Sequence, residues 1–207
     1  MDDVRKITNI DRIIDSLESF SNTNDLYIVF IDLCDSTDFK QFCLESDIPD
    51  NFWVTRQLIF LSRTAKIIKS HKGTVIKTIG DEVMATFDYN ENPENIIKTC
   101  VEVFQSFDNL KMYNKGKFKI KCKASIDCGT CHNGQITDSI IFDPVGPCVD
   151  RCARISKNLN KNEIVCSSDF YDIIKQNSID IDIYRPEKQN EELKGLGYTE
   201  FYKLYIS

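Results

Sequence analysis

The stretch GTVIKTIGDEVMATF, Gly73 to Phe87, decides how the rest of the chain is read. Val75, Lys77 and Ile79 alternate with Thr74, Ile76 and Thr78. Past Gly80 and Asp81, Val83, Ala85 and Phe87 alternate with Met84 and Thr86. Two period-two runs joined by a two-residue Gly-Asp connection predict a β-hairpin. Asp81 then stands at its tip, held by backbone on both sides. Alone it is an ordinary turn aspartate. A second carboxylate changes its meaning. Asp32 ends the apolar run Tyr27-Ile28-Val29-Phe30-Ile31-Asp32, ahead of the polar loop Leu33 to Thr37. Two strand-end aspartates brought side by side make a site for hard divalent cations.

The chain has 207 residues and a net charge of −6. That length suits one domain with a full core. The acidic balance argues against a reader of nucleic-acid backbones. No apolar run reaches the roughly 18–20 residues of a membrane span. The N-terminal MDDVRKITN lacks the apolar stretch of a signal peptide, so a cytoplasmic protein is expected. The nine cysteines are odd in number and irregular in spacing, which suits reduced thiols. Cys128-Gly-Thr-Cys131-His132 resembles a redox or zinc pair, but no second CxxC exists, and small strand residues are the plainer reading. Cys148 and Cys152 are expected to pack inside the protein.

Residues 1–24 are expected to form a helical extension, with Ile10, Ile13, Ile14 and Leu17 on one face, and 25–207 the main domain. A strand over 26–32 leads to a short helix ending near Leu44. Pro49 and Asp50 open a longer helix whose buried stripe is expected at Val54, Leu58, Leu61, Ala65 and Ile68. Gly73 follows its end. Asn92 and Pro93 start another helix, with Ile97, Val101 or Cys100, Phe104 and Phe107 inward. Lys117 to Ile126 is expected as a strand, followed by a glycine-marked strand or finger ending near Phe142. A helix from about Pro147 to Leu159, a strand at Glu163–Cys166, a helix capped by Ser168 and a hairpin over Leu193–Ile206 complete the chain. The order predicts an α+β fold, a ferredoxin-like split βαβ antiparallel sheet with helices on one face.

Four segments in order, IVFIDLCDST, VIKTIGDEVMATF, KASIDCGTCHNGQI and FDPVGPCVDRCARI, resemble the class III nucleotidyl cyclase catalytic domain over roughly residues 25–206. The resemblance implies a head-to-tail homodimer with active sites at its interface. Asp32, Asp81 and the Leu33 carbonyl would hold two Mn²⁺ or Mg²⁺ ions, which suits activation of a ribose 3′-hydroxyl. Cys34 to Thr37, Ser36 and Thr37 among them, would cradle the triphosphate ahead of a helix. Arg154 would reach the α-phosphate from the other subunit. Three positions depart from the pattern. Asp35 stands where a small residue is usual, and should repel a triphosphate unless it turns away or meets a lysine. Asp150 replaces the ribose-orienting asparagine and cannot donate; it could instead pair with Arg154 or Arg151. Leu196 takes the place of a triphosphate lysine, leaving Lys194 as the nearest substitute.

Lys77 and Asp143 fall where adenylate cyclases of this family read the purine. The same pair can serve uracil or cytosine, with Trp53 and Arg56 reaching in to fill the space of a smaller base. The set W-x-x-R with DPVGxxVDRCARI looks like the cyclic-pyrimidine cyclases of bacterial anti-phage defence (Pycsar), as does a catalytic domain standing alone. The implied substrate is UTP, then ATP, then CTP, with the cyclic product read by a separate effector. An adenylate cyclase is the alternative. From another class, so is an inactive nucleotide-binding regulatory subunit.

Overall fold

A computed structural model describes residues 21–108, 110, 119–137 and 140–205. Its elements are β1 (Ser21–Leu33), α1 (Ser36–Glu45), α2 (Asp50–Ser70), β2 (Thr74–Ile79), β3 (Glu82–Asp88), α3 (Pro93–Ser106), β4 (Cys122–Thr137), β5 (Ile140–Val145), α4 (Pro147–Ile155), β6 (Glu163–Ser167), α5 (Ser168–Gln176), β7 (Glu187–Leu193) and β8 (Gly197–Tyr205). The strands form one sheet in the order β2-β3-β1-β4-β6-β8-β7, with β5 paired to β4. β4 and β6 run parallel; the other pairs are antiparallel. This is the α+β architecture predicted from the element order.

The central strand explains the layers. Tyr27, Val29, Ile31 and Leu33 enter the main core, together with Phe39 of α1, Phe60 of α2, Phe104 of α3 and Phe170 of α5. Ile28 and Phe30 point the other way, onto Cys148 and Cys152 of α4 and Met84 of β3. An apolar run without polar alternation marks a strand covered on both sides. The expectation of helices on one face is therefore corrected: among the described residues α4 is the one helix on the second face. Fully buried aromatics such as Phe60, Phe87 and Phe107 carry much of the main core, and truncating one costs about 3–5 kcal/mol.

Four further expectations change. The first 20 residues of the expected helical extension lie outside the described residues, but 21–24 are strand. Their pairing with Cys131–Gly134 of β4 is reinforced by Asn24 Nδ2 donating to Asn133 Oδ1 at 3.1 Å. The strand expected over Lys117–Ile126 begins at Cys122 and runs unbroken to Thr137, because β1 extends beside it. The buried stripe of α2 is Arg56, Phe60, Thr64, Ile67 and Ile68, while Leu58 is 59% exposed. Phe60 meets Phe107 with ring centroids 5.8 Å apart, and the Arg56 guanidinium lies 4.9 Å over Phe39. Aromatic packing thus rotates the helix away from its aliphatic face.

The fourth change is in the hairpin. Val75 pairs with Ala85, but Lys77 pairs with Met84, leaving Ile76 as a bulge. Ala85 faces the main core and Met84 the α4 side. The extra residue turns Lys77 to the face opposite Val75, where simple alternation would have kept them together. Beyond it Gly80 takes φ 64°, which a glycine adopts without a Cβ penalty.

Candidate active site

Asp32 and Asp81 converge because β1 and β3 are neighbours in register. Asp32 sits opposite Glu82, one residue past the turn, and the Leu33 N–H donates to the Asp81 carbonyl at 3.3 Å. On the other side Lys123 of β4 is opposite Asp32, its Nζ 3.3 Å from Oδ2. The Ser36 hydroxyl donates to the Asp81 carboxylate. Burial pushes the Asp32 carboxyl up; Lys123 opposes this and the Asp81 charge adds to it. Burial, then the Asp32 charge, pushes Glu82 up to about 7. Crowded, partly desolvated carboxylates are what a cation relieves.

Asp32, Asp81 and Lys123 head a cleft of about 720 Å³, lined also by the Cys34–Asp38 segment and the loop Leu159–Lys161. Among the described residues no cluster of three metal-ligating side chains occurs. The donor set is two carboxylates and a carbonyl, which fits Mg²⁺- or Mn²⁺-type ions that complete their shells with water and substrate phosphate. Asp35 takes φ 57° just ahead of α1 and meets Lys161. The lysine that its charge demanded is therefore present, on a loop after α4.

Arg56 is 1% exposed. Its Nη2 donates to the Cys34 carbonyl at 3.1 Å, and Nε has no partner among the described residues. The Trp53 indole N–H donates to Asp50 at 3.2 Å, with the Lys40 ammonium 4.5 Å over its ring. Both line a small cavity of about 160 Å³ with Ser36, Thr37, Gly80 and Asp81. Neither Lys77 nor Asp143 lines that cavity. The base contact expected of Trp53 and Arg56 gives way to a place beneath the Leu33–Thr37 loop, because Arg56 is committed to a loop carbonyl and buried there.

Lys77 and Asp143 are brought together as a half-exposed ion pair. Arg154, Asp150 and Lys194 form a separate group. Arg154 lies over the β7–β8 turn, 3.7 Å from where a Cβ on Gly195 would stand, and Lys194 is exposed in the same turn. None of the three lines the cleft, and none has an ion-pair partner among the described residues. Asp150 pairs with neither arginine. Arg151 instead grips the fully buried Asp127 at 2.7 and 2.8 Å and also meets Asp169. Asp127 further accepts from the Cys128 N–H and the Ser167 hydroxyl.

The nine cysteines are all buried free thiols. Cys128 faces the main core and Cys131 the α4 side, as residues three apart on a strand must, so they cannot grip one ion. Cys148 and Cys152 pack under α4 as expected. Sequence reading missed Lys123, Glu82 and Lys161. The first two become legible only once strand register is known, and Lys161 sits in a loop with no motif.

Several solved structures share this fold. The adenylyl cyclase CyaB from P. aeruginosa superposes with a TM-score of 0.71 at 18% identity, covering 90% of this chain and 96% of that one. The guanylate cyclase domain of RhGC from Catenaria anguillulae, in complex with GTP, gives 0.69 at 16% identity, covering 89% and 98%. An adenylate/guanylate cyclase/hydrolase from Silicibacter pomeroyi gives 0.70 at 15%, covering 90% and 99%. No curated protein matches the sequence significantly. At the level of fold, then, the molecule is a cyclase-type domain. The family model for the adenylate and guanylate cyclase catalytic domain matches residues 18–205, and the chain belongs to that family. Among the described residues no helix is long and apolar enough to cross a membrane.

Proposed function

We propose that this chain is a uridylate cyclase, converting UTP to 3′,5′-cyclic UMP and diphosphate as a signal in anti-phage defence. The observation that carries the cyclase chemistry is the convergence of Asp32 and Asp81 at the head of the cleft. Two divalent ions bound there would acidify the ribose 3′-hydroxyl and neutralise charge at the α-phosphate. Asp32, Asp81 and the Leu33 carbonyl would hold them, which would leave Lys123, now paired with Asp32, available to the phosphates. The Cys34–Thr37 segment receives the triphosphate at the start of α1, while Arg56 braces that segment through the Cys34 carbonyl.

The 3′-oxygen bonds to the α-phosphorus as the bond to the leaving diphosphate breaks. Positive charge fixed near the α-phosphate stabilises that step. Arg154 does not line its own chain's cleft; in this reading a head-to-tail homodimer, with Arg154 of the partner subunit, completes the site. Lys194 and Asp150 come from the same face and take the triphosphate and the ribose.

Lys77 donates to a base carbonyl and Asp143 accepts from uracil N3–H. The meeting of these two side chains equally suits adenine, and ATP is the second reading. Support for a pyrimidine comes from the likeness of W-x-x-R and DPVGxxVDRCARI to the defence cyclases. The test is product analysis of purified protein with Mn²⁺ and an equal mixture of ATP, GTP, CTP and UTP. A cyclic UMP peak is expected. A cyclic AMP peak would transfer Lys77 and Asp143 to purine reading and remove the defence link. No cyclic product at all would favour an inactive regulatory subunit.

A further inference from the structure

Two departures from the family pattern, one in the cleft and one in the β7–β8 turn, bear on the same phosphate chain. Asp35 adds a carboxylate at the mouth of the triphosphate segment, and the expected lysine of the β7–β8 turn is replaced by Leu196. Lys161 answers both. It lines the same cleft as Asp32, Thr37 and Asp81, from the loop between α4 and β6. Its ammonium pairs with Asp35, yet its side chain stays 49% exposed, so it is tethered and still reachable. The cleft's carboxylates are Asp32, Asp35, Asp38 and Asp81, and its cations are Lys123 and Lys161. Lys123 is already engaged with Asp32. Asp35 is held in place by backbone: its left-handed φ of 57° and the Phe39 N–H on its carbonyl at 2.9 Å fix it as the first residue of the turn into α1. Lys161, on a long aliphatic stem, is the partner free to move.

We infer that Lys161 is a triphosphate-binding residue of this chain, paired with Asp35 before substrate binds and shared with the terminal phosphates when nucleotide enters. The role rests on the cyclase reading above. A flexible ammonium is well suited to it, since it meets phosphate as a point charge and needs no fixed fork. Asp35 then acts as a positioning residue. It offsets the charge of Lys161 before substrate arrives and sets a cost on releasing it. Removing Asp35 should therefore strengthen binding of the phosphate chain, while removing Lys161 weakens it. A solvated surface ion pair predicts no effect from either.

The experiment is calorimetric titration of inorganic tripolyphosphate, with Mn²⁺ present, into the full-length protein. It needs no turnover and no choice of base. Lys161→Gln is expected to weaken tripolyphosphate about tenfold, Lys161→Arg to stay within about threefold of the native protein, and Asp35→Asn to bind about threefold or more tighter. In turnover, Lys161→Gln should raise KM for the nucleotide by a similar factor with kcat little changed. Native affinity in Lys161→Gln overturns the inference, and so does unchanged or weaker binding in Asp35→Asn. If Lys161→Gln does not melt cooperatively, the Asp35→Asn result decides alone. Absence of any cyclic product from the native protein would sink the cyclase reading but not this binding result; native tripolyphosphate affinity in Lys161→Gln beside a fully active enzyme would do the reverse.

Discussion

The cleft end of the molecule and the α4 face satisfy their charges in opposite ways. In the cleft Asp32 meets Lys123, Asp35 meets Lys161, and Asp81 accepts from Ser36. Across the α4 face Arg154, Asp150 and Lys194 have no ion-pair partner among the described residues, although α4 itself is anchored by the buried Arg151–Asp127 pair. Charges balanced within one chain need no second one. Arg154 is half-buried, and Asp150 and Lys194 are exposed, each without a counter-charge among the described residues. On the reading proposed above, the difference divides one site into two unlike halves, one from each subunit.

The largest effect should come from breaking the cleft. Asp32→Ala or Asp81→Ala is expected to lower kcat by at least about a thousandfold, roughly 4 kcal/mol of transition-state stabilisation; a discontinuous assay of cyclic product checks it. Arg154→Ala should follow, with kcat down about a hundred- to a thousandfold and folding unchanged by thermal melting. Mixing Asp32→Ala with Arg154→Ala then tests the two halves directly. With random exchange, half the dimers are mixed and hold one intact site of two, so about a quarter of native activity should return. No recovery, with exchange shown by native mass spectrometry, would refute the division.

Smaller effects sharpen the contrast. Saturating Mn²⁺ should raise the melting temperature of the native protein by about 2–4 °C for each kcal/mol of binding. Arg154→Ala should keep that rise and Asp32→Ala should lose it. Asp150→Asn, which restores a hydrogen-bond donor on the α4 face, should change kcat by no more than about threefold, most plainly as a gain; a drop beyond tenfold would mean that the carboxylate itself is used.

Much of this was legible in the residues. The hairpin around Gly80, the two aspartates, the Asn92 cap and the packing of Cys148 and Cys152 all follow from local patterns, and local physics decides them. The α2 stripe was not legible, because Arg56 and Thr64 occupy its buried face while Leu58 and Val54 advertise the other. A charged side chain satisfied by a distant carbonyl leaves no periodic trace. The extension of β1 back to Ser21 was hidden for a similar reason. Its polar residues are held by β4, a partner more than a hundred positions away. Lys161 and Lys123 owe their places to chain crossings that spacing does not encode.

The bulge at Ile76 has a consequence for how this hairpin bears changes in length. Lys77 shares a face with Met84 because one surplus residue shifts the phase of β2. Deleting Ile76 would remove the surplus and set the lysine directly after Val75, still opposite Met84 and still on the α4 side. Drawing Ile76 into regular alternation would instead carry the lysine to the face of Val75, toward the hydrocarbon interior. The aim of this side chain is thus written in how the backbone pairs, and it can change while position 77 stays a lysine.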